Sequence, residues 1–219
     1  MEGLVVASHC TNEDKDVGGV DDADIHQPND PLVGENIVAE ATIDPVLYNI
    51  DHDQCPDGWV CRYSDAAFAE LDSDMSLDLG EVAKPEEVGE TDVGPAGTTF
   101  TITSDSASVS VGDEIYYVGR SEGWQTAEVI ETCGYAIFLP NIRIICVVTA
   151  EVTGDSDNPS TGDSGAPVLK PSSGNNVKLM GTLFGGSVAH PDEFDFSSLG
   201  NIYLELGRSS TWDSCASGC

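Results

Sequence analysis

Eight short runs of β-branched and aromatic residues punctuate this chain: GLVVAS (3–8), DAAFAEL (65–71), TTFTIT (98–103), DEIYYVG (113–119), TAEVIE (126–131), IRIICVVTA (142–150), APVLK (166–170) and VKLMGTLFG (177–185). Gly, Asp, Asn and Pro bound these runs, and such residues turn a chain rather than extend it. Helical periodicity is scarce. Many short strands separated by tight turns predict an all-β architecture, a barrel or sandwich. The exception is LGNIYLELG (199–207), which reads as a short helix closed by Gly207. With 219 residues and 40% hydrophobic content, the chain can form one large domain or two packed halves. The polar stretch 80–97, which carries KPEEVGETDVGPAG, is the natural boundary. It separates a first half, 1–90, from a second, 91–207, followed by a Ser- and Cys-rich tail, 208–219.

Charge narrows the partners. The chain carries 39 acidic against 8 Lys and Arg residues, a net charge of −31 with a pI near 4.1. Such a surface repels phosphate backbones and anionic lipid, which argues against nucleic acid or anionic membrane as a partner. No run reaches the ~18 uninterrupted apolar residues of a membrane span. The acids are interleaved with Trp59, Phe68, Tyr116, Tyr117 and Trp124, so they read as the skin of a folded domain rather than a disordered tail. A skin of this kind suits very high salt, where screening over ~3 Å at 1 M removes most self-repulsion. A halophilic source is expected.

Seven cysteines leave at least one without an intramolecular partner. Cys55 and Cys61 bracket the turn CPDGWVC, and Cys133 and Cys146 bracket an apparent hairpin. Both read as local disulfides, which favours an oxidising, extracellular or cell-surface setting. The opening MEGLVVASHC lacks the positive region and cleavage site of a secretion signal. DKDVGGVDDADI (14–25) places acids at the first, third and ninth positions of a calcium-loop template but Ile25 at the twelfth. That argues against an EF-hand, while a looser cation site within 11–35 stays open. No Cys or His spacing suggests zinc, and neither a metal nor a cofactor is expected.

The segment STGDSGAPVL (160–169) displays Ser164 in a tight Gly-Asp-Ser-Gly turn. A serine hydroxyl is a weak nucleophile until a base takes its proton, so a histidine must be supplied. The candidates are His9, His26, His52 and His190. His9 ends an apolar strand, where a base can reach a cleft. A buried carboxylate must then fix the imidazole tautomer, and Asp65, opening the apolar run DAAFAEL, suits best. In the turn itself the backbone N–H groups of Gly162 and Ser164 can point at one spot and stabilise an oxyanion, each worth ~3 kcal/mol.

Taken together, VVASHC, CRYSDAAFAEL and TGDSGAPVL, in that order, resemble the histidine, aspartate and serine motifs of the chymotrypsin-fold serine endopeptidases, in particular the streptogrisin and α-lytic branch. VGRSEGWQTAEV and VKLMGTLFGGS resemble a strand of that family's second barrel and the strand lining its substrate cleft. The resemblance covers residues 3–207. It implies two six-stranded β-barrels with the site between them, Ser164 as nucleophile, His9 as general base and acid, and Asp65 as orienting carboxylate. By it Asp163 is a buried acid shaping the pocket turn, Gly185 and Gly186 border the specificity pocket, and Asn158 lies near its base, giving an uncharged preference at P1.

The expected activity is therefore hydrolysis of protein or peptide substrates by a monomer through an acyl-enzyme. The alternative is an inactive or truncated domain with a binding or structural role. Three departures from the family pattern stand out: Ala166 replaces a usual glycine, Phe184 occupies a cleft-strand position often held by serine or tryptophan, and only eight residues precede His9. The last implies a first barrel short of its N-terminal strands and an open edge along GLVVAS. It also implies a reading frame continuing upstream through a secretion signal, which would hold the family partner of Cys10. Cys215 and Cys219 are left to pair with each other.

Overall fold

All eight runs form strands in the computed structural model, which describes residues 2–11, 23–26, 37–93, 98–154, 156–187 and 189–207. In chain order the strands are β1 (Gly3–Val6), β2 (Asp24–His26), β3 (Ile37–Ile43), β4 (Val60–Arg62), β5 (Ala67–Leu71), β6 (Glu81–Ala83) and β7 (Thr99–Asp105). They continue with β8 (Glu114–Val118), β9 (Trp124–Leu139), β10 (Ile142–Val152), β11 (Pro167–Pro171), β12 (Asn176–Gly186) and β13 (Glu193–Ser198). The helix α1 (Leu199–Leu206) follows directly.

The first sheet is antiparallel, in the order β1-β5-β3-β2. Among the described residues β1 pairs only with β5, so the edge expected along GLVVAS is open there. In the second sheet β8, β9, β10, β13 and β12 follow one another, and β11 pairs with both β12 and β8. These six strands close on themselves, which leaves no backbone edge within the ring. Alternation along β8 turns Ile115 and Tyr117 inward and leaves Glu114 outside. Met180, Leu183, Phe194 and Phe196 meet them in the centre. Each large apolar side chain so buried contributes roughly 1.5–3 kcal/mol.

The two sheets interleave along the sequence. β6 pairs with β7 and β4 runs parallel to β10, so two strands from before residue 90 belong to the second sheet. The far end of the β9–β10 hairpin reaches the first half, where Ile144, Val147, Phe138 and Phe184 pack around Ala7.

Ser198 caps α1 by accepting a hydrogen bond from Asn201 N–H, and Gly207, at φ +80°, ends it. The helix buries Leu199 and Ile202, spaced i and i+3 on one face, against Ala66. It thereby sits beneath the loop that carries Asp65. Both local disulfides form, Cys55–Cys61 and Cys133–Cys146, the second across the β9–β10 hairpin, and Cys10 is an exposed thiol. Cys215, Cys219 and most of the calcium-loop template lie outside the described residues.

Candidate active site

β1 ends at Val6, and His9 sits in the single 3-10 turn that follows, Ser8–Cys10. Thr11 tightens this turn by donating to the Ser8 carbonyl from both its N–H (2.9 Å) and its hydroxyl (2.8 Å). Asp65 leads into β5 and is fully buried. Its two carboxylate oxygens divide between two donors of one residue: Oδ1 accepts the His9 backbone N–H at 3.0 Å, and Oδ2 is hydrogen-bonded to His9 Nδ1. Asp65 is itself fixed from the second sheet, its N–H donating to Ser197 Oγ at 2.9 Å.

On the other side of the imidazole, His9 Nε2 lies 3.1 Å from Ser164 Oγ. The structure thus brings His9, Asp65 and Ser164 into one chain of contacts across the two sheets. Burial pulls the His9 pKa down, but hydrogen bonds and charge from Asp65 and Cys10 outweigh it and push the pKa from 6.5 up to about 10.

Ser164 is held by the turn between β10 and β11. Gly162 (φ +110°) and Gly165 (φ +89°) take left-handed conformations that favour glycine. Ala166 does not have a positive φ, which explains why alanine is accepted where a glycine was expected. Its side chain packs into the second-sheet core, and its N–H donates to the Asp163 carbonyl at 2.9 Å. Asp163 is buried and fastens the turn from below. It accepts hydrogen bonds from the N–H groups of Ser121 (2.8 Å), Glu122 (3.3 Å) and Ser160 (3.0 Å). Gly119 makes room for it, since a Cβ there would lie 2.2 Å from Asp163 Oδ1.

Two hydrogen bonds clip the turn to β12, from Gly165 N–H to Leu183 O (2.7 Å) and from Leu183 N–H to Ala166 O (2.9 Å). Among the described residues the N–H groups of Gly162 and Ser164 have no intramolecular acceptor.

β12 continues past the serine. Phe184 O lies 3.4 Å from Ser164 Oγ, and the buried Phe184 ring packs on Phe138, whose centroid is 5.8 Å from that of His9. Gly185 borders open space, with nothing within 4 Å of where a Cβ would stand, and Gly186 follows it at the strand end. Asn158 lies exposed in the loop before Ser164. The other histidines are engaged elsewhere: His26 is exposed on β2, His52 meets the Tyr63 ring edge-on, and His190 is largely exposed near Glu193. A cavity of about 550 Å³, lined by Glu131, Tyr135, Thr149, Ser187 and Asp195 among others, contains none of the sequence-predicted residues. Among the described residues no group of three or more His, Cys, Asp or Glu side chains is placed to hold a metal ion, and no helix is long and apolar enough to cross a membrane.

Sequence reasoning missed the ionic group under the site. Arg62 is fully buried, 2.8 Å from Asp44 and 3.4 Å from Glu205. It also missed Ser197 and Phe138.

No family model and no curated protein sequence matches the chain. Solved structures do match. Cellulomonas bogoriensis chymotrypsin is 16% identical, with 94% of this chain and 83% of that one covered at a TM-score of 0.58. The Nocardiopsis protease NAPase is 16% identical (92% and 81%, TM-score 0.59), and Thermobifida fusca protease A 14% identical (94% and 82%, TM-score 0.60). What these likenesses establish is the fold: the chain has the two-barrel architecture of the chymotrypsin-like serine proteases.

Proposed function

We propose that the chain is a serine endopeptidase that cleaves peptide bonds through an acyl-enzyme. The observation that carries this reading is the unbroken series Asp65, His9, Ser164, supplied from both sides of the cleft. His9 Nε2 takes the Ser164 proton as Oγ attacks the scissile carbonyl, and Asp65 holds the tautomer that leaves Nε2 free to accept. The carbonyl oxygen becomes an oxyanion that accepts hydrogen bonds from the N–H groups of Gly162 and Ser164. The His9 imidazolium then protonates the leaving amine, and the C–N bond breaks. Water enters by the same steps in reverse roles and releases the acid and Ser164. No metal or cofactor takes part.

Gly185 and Gly186 border the pocket for the P1 side chain, and Asn158, in the loop six residues before Ser164, adds no charge there, which favours an uncharged one. The acidic surface suits work in concentrated salt, and the two disulfides suit an extracellular or cell-surface setting. The protein acts as a monomer.

The test is digestion of a mixed peptide library in molar potassium chloride with chelator present, beside Ser164→Ala. Cleavage by the wild type that falls by several orders of magnitude, about 10⁶-fold where a triad serine has been removed, supports the reading. Undiminished cleavage by Ser164→Ala, or none by the folded wild type, overturns it.

A further inference from the structure

We infer that Arg62 is a positioning residue for the His9–Asp65 pair, acting with Glu205 of α1 and Asp44. This rests on the peptidase reading above. An arginine with no exposed surface must find partners for its donors or leave a buried charge unsatisfied. The partners it finds flank both members of the pair. Nη1 donates to Asp44 Oδ1 (2.8 Å) and to Ser8 Oγ (3.0 Å), Nη2 to the carbonyl of Ala66 (2.7 Å), and Nε to Glu205 Oε2 (3.4 Å). Ser8 immediately precedes His9, and Ala66 immediately follows Asp65. Ser8 Oγ in turn donates to Asp44, 2.9 and 2.8 Å from its two oxygens, so the His9 turn is tied to the same carboxylate as the guanidinium.

Glu205 completes the frame from the far end of the sequence. Its carboxylate accepts the N–H groups of Tyr63 (2.6 Å) and Ser64 (3.1 Å) and the Ser64 hydroxyl (2.6 Å). Residues 62, 63, 64 and 66 are therefore all held by one ionic group, and Asp65 lies between them with its carboxylate turned to His9. No hydrogen bond or ion pair joins Asp65 or His9 to Arg62, so the guanidinium acts through backbone placement. A planar fork of five donors can bridge Asp44, Ser8, Ala66 and Glu205 at once, which a lysine ammonium on a single point cannot. Small displacements of an orienting group cost about 10²-fold in rate.

The test compares Arg62→Lys, which keeps the charge, and Glu205→Gln, which keeps shape and one acceptor, with Val129→Ala, a core cavity in the second barrel away from the ionic group. Three readouts are taken in molar potassium chloride: thermal unfolding, kcat and KM on one peptide substrate with the full pH profile, and the downfield proton resonance of His9 Nδ1–H. For Arg62→Lys, kcat should fall about 10²-fold with KM changed by less than about threefold. The acid-side midpoint of its profile should move toward 6.5, and the downfield resonance should shift or vanish. Glu205→Gln should show the same changes at smaller size. Val129→Ala should lower the unfolding temperature alone.

The resonance reads the pair whether or not the chain turns over substrate, so an inactive wild type refutes the peptidase reading and still leaves Arg62 on trial. Should Arg62→Lys fail to fold, Glu205→Gln decides. An unmoved resonance and pH midpoint in the folded variants, or equal changes in Val129→Ala, would overturn the inference.

Discussion

Replacing Asp65 by asparagine removes one charge and almost no volume, so its effect can be worked out from the bonds. The carboxylate now accepts from two donors of His9, the backbone N–H at Oδ1 and the imidazole at Oδ2. An asparagine amide has one oxygen and one NH₂ group. If its oxygen stays on the His9 N–H, the NH₂ faces Nδ1, which must then accept. The ring proton moves to Nε2 and points at Ser164, where a lone pair is needed. If the amide flips, its NH₂ faces the His9 N–H, and two buried donors oppose each other at a cost of about 1–3 kcal/mol each.

The first arrangement is the cheaper one, and it disables the base. Loss of tautomer control has cost about 10⁴-fold in a measured Ser-His-Asp triad, or ~5.5 kcal/mol of transition-state stabilisation. Asp65→Asn should therefore lose about 10³- to 10⁴-fold in kcat/KM with a modest change in unfolding temperature. The assay is hydrolysis of a chromogenic peptide at neutral pH in molar potassium chloride, beside calorimetry. A folded variant that keeps kcat/KM within about tenfold would refute the assignment of Asp65, because a misplaced ring proton cannot be that mild.

His9 must be neutral to act as a base, and its pKa is raised, so kcat/KM should climb with pH to an acid-side midpoint well above 6.5; a midpoint at or below 6.5 contradicts this. By linkage the same raised pKa stabilises the fold fully below 6.5, and this contribution is lost as pH rises through about 10, which unfolding measured over that range checks. With a net charge of −31, the unfolding temperature should rise as potassium chloride goes from millimolar to molar, and a flat or falling trend removes the argument for a salt-adapted surface. Replacing Cys133 and Cys146 together by alanine opens a 13-residue separation and should cost about 3 kcal/mol in denaturant unfolding, with no loss expected only if the hairpin is held by its strand pairing alone.

The strands most legible in the sequence were those whose inward positions carry large β-branched or aromatic residues, as Ile115 and Tyr117 do in β8. β13 escaped notice although Phe194 and Phe196 are both fully buried. Its outward positions are Glu193 and Asp195, and on a chain this acidic EFDF reads as a loop. β3, IVAEATI, was hidden by its alanines, and β4 and β6 are too short to show a period. The closure of six strands into a ring depends on β11 pairing with both β8 and β12, a long-range property that no local window carries.

At the site, the motifs around residues 9, 65 and 164 were readable because each is local, and the structure places these three side chains together. Arg62 was not readable. Its carboxylate partners lie 18 and 143 residues away, at Asp44 and Glu205, among 39 acids that give no hint of which two are buried. The same distance hid Ser197, which steadies Asp65 from 132 residues downstream.

Covalent labelling of Ser164 probes the proposed chemistry most directly. The folded protein in molar potassium chloride is exposed to a fluorophosphonate, beside His9→Ala and Ser164→Ala, and the adduct is mapped by mass spectrometry of peptides. Stoichiometric modification at Ser164 in the wild type is expected, slowed by several orders of magnitude in His9→Ala and absent from that peptide in Ser164→Ala. A folded wild type that stays unlabelled at Ser164, or that labels equally fast without His9, would contradict an activated nucleophile at this position.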